Sequence, residues 1–190
     1  MVVPQAFPGV TFLENPMSII DKIAAALTPQ PDDEKRAEAT AQARAAATPG
    51  DWLSLVIDHH DQIREAFAAG KLAKGATDRT AAMKTLAVVL NGHSLAEEIV
   101  LYPALGHADE KAHAAQAYLE QTVAKNQMAE LERIPPSQSA WLDKWEHIEG
   151  AVLTHMYEEE SGWFLELREK GEAQERLTLR YAEEYERYVG

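Results

Sequence analysis

The sequence contains no cysteine, and that absence removes several kinds of site at once. Disulfide bonds, thiolate zinc sites, iron–sulfur clusters and cysteine nucleophiles are all excluded. Basic residues are also few, since 18 Lys and Arg stand against 31 Asp and Glu and leave a net charge of −13. A surface so acidic repels phosphate groups, so neither nucleic acid nor an anionic membrane is expected as a partner.

Long apolar runs are missing as well, so no segment is expected to cross a membrane. The N-terminal stretch MVVPQAFPGVTFLENP has no Lys or Arg ahead of its apolar residues, which makes it a poor signal peptide. We therefore predict a soluble cytoplasmic protein. Its 190 residues suit one domain with a substantial core.

Composition and periodicity divide the chain into three predicted parts. These are an extended arm at 1–16, N-terminal helices that pack on a bundle at 17–48, and the bundle with its C-terminal helix at 49–190. The N-terminal helices are predicted at 17–27 and at 31–47, and the second has excellent helix propensity but few large apolar residues. Met17 offers an alternative start of translation.

Four long segments of the third part repeat apolar residues every three or four positions, which is typical of amphipathic helices. Either Thr48 or Asp51 can cap the first of these helices, and either Thr77 or Asp78 the second. The second is predicted to end near Pro103, the third spans about 108–132, and the fourth follows two consecutive prolines. Because the connections are short, we predict an all-α fold, an antiparallel up-down-up-down four-helix bundle with added terminal helices.

Every one of the four apolar stripes also carries a histidine, and two of these histidines have a glutamate four residues further on. The set is His60, His93, Glu97, His113, His155 and Glu159. Residues four apart project from one face of a helix, about 6 Å apart along its axis. The remaining histidines, His59, His107 and His147, lie off the stripes or too far along the helix and are predicted to be surface or structural residues.

A core that buries six such groups must satisfy them, because each unpaired polar group costs about 1–3 kcal/mol and a charge costs far more. Hydrogen bonds among the six side chains are one solution. Two divalent metal ions are the other, with each glutamate bridging both ions and two imidazoles on each ion. The repeated histidine and glutamate spacing favours the metal site.

The segments VIDHHDQIREAF, HSLAEEIVLYP, the helix around His113 and THMYEEESGWFLEL resemble the four helices of a hemerythrin-like, HHE cation-binding domain. The resemblance covers about residues 50–170 and implies a non-haem diiron centre inside the bundle. It implies these ligands: His60 from the first helix, His93 and Glu97 from the second, His113 from the third, and His155 and Glu159 from the fourth. Both glutamates would bridge the two ions.

The third helix departs from the pattern of the oxygen-carrying members, which place two histidines there, four residues apart. Here His113 has Asp109 before it and Ala117 after it, so Asp109, Glu110 or water must fill the missing position. Tyr102 lies about 180° around the helix from His93, which predicts an ordinary half-buried tyrosine.

A donor set of imidazoles and carboxylates without thiolate fits iron best, with manganese and zinc as alternatives. The predicted cofactor is therefore a pair of iron ions bridged by an oxo or hydroxo group. The predicted function is binding or sensing of a small oxidant or gas, namely dioxygen, nitric oxide or peroxide. The alternatives are a diiron redox enzyme that turns over peroxide or nitric oxide, and an iron-handling protein.

Overall fold

The structure is a computed structural model that describes residues 30–108, 110–170 and 173–190. The arm predicted at 1–16 and the helix predicted at 17–27 lie outside the described residues. Within the described part, the chain is almost entirely helical and contains no strand, which confirms the all-α prediction. None of the described helices is long and apolar enough to span a bilayer.

The described helices follow one another with short connections, and two of them pass through a π-helical turn. In chain order they are α1 (Asp33–Ala46), α2 (Trp52–Leu72), α3 (Ala76–Ala96), the first π turn (Glu97–Leu101), α4 (Tyr102–His107), α5 (Lys111–Leu131), α6 (Ser139–Glu158), the second π turn (Glu159–Trp163), α7 (Phe164–Lys170) and α8 (Gln174–Val189). Four long helical units result: α2, α3 with α4, α5, and α6 with α7.

Local capping explains where these helices begin. The Asp51 carboxylate accepts a hydrogen bond from the Ser54 amide at 2.9 Å, so Asp51 rather than Thr48 caps α2. Helix α3 begins instead after Gly75, which offers no side-chain cap, and Thr77 and Asp78 lie within its first turn. The cap predicted for this second long helix was therefore wrong.

The four long units close into a ring. Helix α2 packs against α3 and α6, and α5 packs against α4 and α6. Helix α1 lies against α2 and the second π turn, whereas α8 lies against α2, α3 and the first π turn. The terminal helices therefore cover the middle of the bundle, where the two π turns occur.

Among the described residues, the core consists of two apolar clusters that are separated by a layer of buried polar residues. One cluster contains Trp52 and Phe164, and the other contains Phe67, Trp141 and Trp145. Buried polar side chains lie between the two clusters, among them His60 of α2, His93 of α3, His155 of α6, and Glu97 and Glu159 of the π turns. The polar layer is thus enclosed by apolar packing on both sides.

Gly92 allows α8 to approach this polar layer. A Cβ atom at Gly92 would lie 2.8 Å from the Val189 side chain and 3.2 Å from the Tyr185 ring, so a larger residue would push α8 away. The close approach brings Tyr181 of α8 into the interior, where it is fully buried.

Candidate metal centre

Four of the predicted site residues meet in the polar layer. His60 of α2, His93 of α3, Glu97 and Glu159 are at most 2% exposed, and one ligand atom from each lies within 4.8 Å of the others. The His60 Nε2 atom lies 3.3 Å from Glu159 Oε2, and the His93 Nε2 atom lies 3.2 Å from Glu97 Oε2. Two imidazoles and two carboxylates therefore converge from three elements of the ring.

Each glutamate is the first residue of a π turn. The Tyr102 amide donates to the Glu97 carbonyl, and the Phe164 amide donates to the Glu159 carbonyl, so each bond spans five residues instead of four. Pro103 has no amide hydrogen to donate to the carbonyl four residues earlier, which helps explain the first turn. Such single-turn π segments occur often at functional sites, because the extra residue re-aims the side chains that follow.

His155 extends the cluster on the far side of Glu159. Its Nε2 atom lies 3.3 Å from Glu159 Oε1, while His60 approaches the other oxygen, Oε2, of the same carboxylate. The two oxygens of Glu159 thus face two different imidazoles. That arrangement suits a carboxylate that bridges two cations.

The Nδ1 atom of each of these imidazoles is held by an oxygen from outside the cluster. His60 contacts Glu160 at 2.7 Å, His155 contacts Glu120 at 2.7 Å, and His93 contacts the Tyr181 hydroxyl at 3.0 Å. Histidines that bind metals nearly always donate their second nitrogen to such a partner, which fixes the ring and directs the other nitrogen at the metal.

Ordinary helical geometry puts Glu160 about 100° around the helix from Glu159 and so directs it away from the centre. The structure instead places it fully buried, with its carboxylate accepting from His60, from Arg64 at 2.7 Å and from the Thr40 hydroxyl of α1. Helix α1 packs against the second π turn and covers this carboxylate, and the periodicity of the sequence does not report that packing.

The buried groups perturb one another strongly when no metal balances them. Burial lowers the pKa of His60, but contacts with Glu159 and Glu160 outweigh it and raise the pKa to about 9. Burial and the neighbouring Glu159 charge raise the pKa of Glu97 well above its usual range. Burial acts in the same direction on Glu159, yet His155 and His60 outweigh it and hold the pKa of that carboxyl low. The two carboxylates therefore repel each other and compete for the imidazoles.

Several atoms at the centre have no hydrogen-bond partner among the described residues. They are His60 Nε2, Glu97 Oε1 and Glu159 Oε2, all buried. Buried lone pairs that face one another without protons or partners are costly in a protein interior. A cation placed among them would satisfy all three, so the donor set fits a metal ion.

A family comparison agrees with this geometry. Residues 51–167 match the model of the hemerythrin HHE cation-binding domain. The chain belongs to that family. No match was found among curated proteins or among solved structures.

The hemerythrin-like bundle contains two further residues at its centre that the sequence did not indicate. The Tyr102 hydroxyl is fully buried, 3.1 Å from Glu97, 2.9 Å from Glu159 and 3.0 Å from His155. The amide of Gln121, from α5, donates to both Glu97 and the Tyr102 oxygen. Tyr102 is therefore not half-buried. The π turn before it reduces its angular offset from His93 from about 180° to about 80°.

His113 does not join the other predicted residues. Its side chain is 35% exposed, and its Nδ1 atom lies 3.3 Å from Glu110 and 3.2 Å from Glu166. Helix α5 begins only at Lys111, so His113 lies in its first turn, whereas the residue that reaches the centre from this helix is Gln121, eight positions later. The third helix thus contributes an amide where the resemblance implied an imidazole.

The three histidines predicted to be bystanders differ from one another. His107 and His147 are exposed. His59 is buried, with its Nδ1 atom 2.9 Å from the Tyr181 hydroxyl and its ring stacked on Tyr185. The same hydroxyl contacts His93, so His59 supports the site from behind although it does not face it.

Proposed function

We propose that this metal-binding, hemerythrin-like protein holds two non-haem iron ions and binds a small oxidant or gas there. The observation that carries the proposal is the position of Glu159, which presents one oxygen to His60 and the other to His155. With Glu97 beside it, this carboxylate would link a cation held near His60 and His93 to a second cation held near His155.

Burial favours a ligand of two or three non-hydrogen atoms. His60, Glu97 and Glu159 are each 0% exposed, and apolar clusters close the layer on both sides. A centre enclosed in this way suits dioxygen, nitric oxide, peroxide or a similarly small molecule better than a larger substrate. When bound, the iron pair would supply redox chemistry and a coordination position for that ligand, while the protein orients the donors and excludes water.

The three anchored imidazoles support iron rather than calcium or magnesium. Nitrogen donors suit iron, zinc and copper, whereas calcium and magnesium prefer oxygen ligands throughout. The two central carboxylates move the preference toward the harder ions of the first group. Iron is therefore the first expectation, with manganese and zinc behind it.

Anaerobic titration with ferrous iron, followed by desalting and elemental analysis, tests the metal part of the proposal. We expect about two iron ions per chain and weaker retention of calcium or magnesium. A single ion per chain, or retention of zinc alone, contradicts a diiron centre. Rapid mixing of the ferrous protein with dioxygen, nitric oxide and peroxide then tests the ligand part, because binding perturbs the iron absorption spectrum.

Trp163 favours turnover of the oxidant as a second candidate function. Its ring lies 5.9 Å from the His155 ring and lines a surface cavity of about 310 Å³ that Glu158 and Glu166 also border. An indole between the centre and the surface offers a route for electrons from an external reductant. If the protein is an enzyme, Trp163→Phe slows re-reduction of the oxidised iron while the metal content stays unchanged. A reversible adduct whose release returns the iron to the ferrous state, with no net oxidation, supports binding instead.

A further inference from the structure

The three imidazoles of the centre differ in how they are covered from outside. The outer nitrogens of His60 and His93 contact a carboxylate beneath α1 and a hydroxyl of α8, both on fully buried residues. His155 instead contacts Glu120, whose side chain is 31% exposed. The His155 side chain is 11% exposed, against 0% for His60 and 2% for His93. Among these three imidazoles, His155 is therefore the one nearest to solvent.

A surface cavity lies on the same side of the bundle as His155. It has a volume of about 310 Å³, and its wall includes His113, Glu158, Trp163 and Glu166. A second cavity, at the start of α3, borders none of the residues of the centre. Because two carboxylates border the first cavity, it repels anions and suits neutral molecules. Dioxygen, nitric oxide and hydrogen peroxide are neutral and small enough to enter it.

Trp163 separates this cavity from His155. The Trp163 ring lies 5.9 Å from the His155 ring at an interplanar angle of 67°, and it also stacks on the His113 ring at 5.8 Å and 22°. Trp163 is only 6% exposed, whereas the His113 side chain is 35% exposed. The order from solvent inward is therefore His113, Trp163 and His155. A molecule that moves from the cavity to His155 has to pass the indole.

We infer that small neutral ligands reach the centre through this cavity, and that Trp163 limits the size of the molecules that pass. The inference rests on the diiron function proposed above and adds the entrance to its site. Structural elements that close a site often set the rate at which ligands enter and leave it. Trp163 binds no metal in this account. It determines which oxidants reach the iron, because a larger molecule requires a larger displacement of the indole from its stack on His113.

Two neutral peroxides of different size test the limit: hydrogen peroxide and tert-butyl hydroperoxide. Each accepts two electrons as its O–O bond breaks, so two ferrous ions become ferric. With two protons, the products are two waters from the first peroxide, and one water and tert-butanol from the second. These electrons pass directly from iron to peroxide, so the assay does not need the route from an external reductant considered above. Stopped-flow absorption of the anaerobic, iron-loaded ferrous protein measures both oxidation rates.

Trp163→Ala should widen the entrance, and Tyr118→Ala is its matched control. Tyr118 also packs near the centre, 5.2 Å from the Tyr102 ring, but it is not part of the cavity wall. We expect Trp163→Ala to speed oxidation by tert-butyl hydroperoxide at least about tenfold and oxidation by hydrogen peroxide less than about threefold. Tyr118→Ala should leave both rates near the wild-type values. An unchanged ratio of the two rates in Trp163→Ala overturns the size limit, as does an equal change of that ratio in Tyr118→Ala.

Gly162→Leu should narrow the same cavity, and Gly150→Leu is its control. Both glycines lie in helical segments, and a Cβ atom at either would meet no atom within 4 Å, but only Gly162 lines the cavity. We expect Gly162→Leu to slow both peroxides by at least about threefold with unchanged iron content, and Gly150→Leu to leave both rates unchanged. Wild-type rates in Gly162→Leu overturn the entrance, even if Trp163→Ala fails to fold. Wild-type protein that holds no iron pair, or whose ferrous iron neither peroxide oxidises, overturns the proposed function instead.

Discussion

The bundle contains two groups built from the same residue types, and they differ in almost every physical respect. The inner group is His60, His93, Glu97 and Glu159, and the outer group is Glu110, His113 and Glu166. Side chains of the inner group are at most 2% exposed, whereas those of the outer group are 35%, 19% and 36% exposed for His113, Glu110 and Glu166. In the outer group Lys170 contacts Glu110 and offsets its negative charge, and exposure to solvent stabilises both carboxylates.

Ring orientation separates the two groups as clearly as burial does. In the inner group an outside oxygen holds each Nδ1 atom and Nε2 turns toward the carboxylates. In the outer group the His113 Nδ1 atom itself faces Glu110 and Glu166, and the ring stacks on Trp163. A cluster of histidine and glutamate therefore becomes a strong metal candidate when burial leaves its charges unbalanced and its rings are anchored from behind.

Removal of one inner carboxylate should have the largest effect. We expect Glu97→Ala to lower iron content from about two to below one per chain, because Glu97 is predicted to bridge both ions. Loss of a ligand bound at about 100 times its Kd removes about 3 kcal/mol of stability, or roughly 10 °C in Tm for a chain of this size. Elemental analysis and thermal melting with and without chelator measure both effects.

The matched control for that experiment is Glu166→Ala in the outer group. This carboxylate is 36% exposed, so its loss should leave both iron content and Tm close to the wild-type values. Chelator should also remove the stability difference between Glu97→Ala and wild type, because the metal-free proteins lack the ions that cause it. A large difference that persists in chelator would mean that Glu97 stabilises the fold directly.

Histidine substitutions sharpen the comparison at the level of single ligands. His60→Ala removes an imidazole from the inner group and should deplete the ion on the His60 side, which leaves about one iron per chain. His113→Ala should retain about two, because its ring lies in the outer group. Iron loss in His113→Ala equal to that in His60→Ala contradicts the placement of the two groups.

These two histidines also show how far the sequence could predict the site. The apolar stripes around His60, His93 and His155 are strongly periodic, so helical geometry alone predicts that these three rings lie in one layer. Helix α5 is less clearly amphipathic, and its start at Lys111 depends on the preceding turn, so its register was poorly determined. Two other residues were missed for different reasons. The first π turn adds one residue to its helix and so turns Tyr102 inward against the ordinary period, whereas Glu160 is buried because α1 covers it. Neither a π turn nor the packing of a neighbouring helix leaves a pattern in the spacing of the apolar residues.

Protons compete with metal ions for the histidines of the inner group, so the metal affinity of this group should depend on pH. The pKa of His60 is raised to about 9, because contacts with Glu159 and Glu160 outweigh burial. Below that pH the metal-free ring carries a proton that a metal must displace, so affinity should rise about tenfold per pH unit for each proton released, up to pH 9. Metal titrations at constant ionic strength between pH 6.5 and 9 measure this slope.

The stability of the metal-free protein should change in the opposite direction over the same pH range. A raised folded-state pKa means that protonated His60 stabilises the fold fully below its ordinary value of 6.5, and this contribution is lost as pH rises toward 9. Burial lowers the pKa of His155, but Glu159 and Glu120 outweigh it and raise the pKa, so His155 acts in the same direction. Chelated protein should therefore have a lower Tm at pH 9 than at pH 6.5, while iron-loaded protein keeps or gains stability. Parallel slopes for the two forms contradict this account.

His59 should give the smallest effect, because it reaches the inner group only through another residue. If His93 Nε2 faces a metal, its Nδ1–H donates to the Tyr181 oxygen, and the single Tyr181 proton is then donated to His59 Nδ1. This order of hydrogen bonds requires a neutral His59 ring. Burial and the adjacent His60 lower the pKa of His59 to about 4, so the ring is neutral at pH 7.

His59→Phe keeps an aromatic ring against Tyr185 but leaves the Tyr181 hydroxyl without its acceptor. We expect iron content near two and affinity lower by about tenfold or less, the low end for such indirect contacts. Tyr181→Phe removes the direct partner of His93 and should weaken binding more, so a larger loss in His59→Phe than in Tyr181→Phe would show that the ring acts by another route.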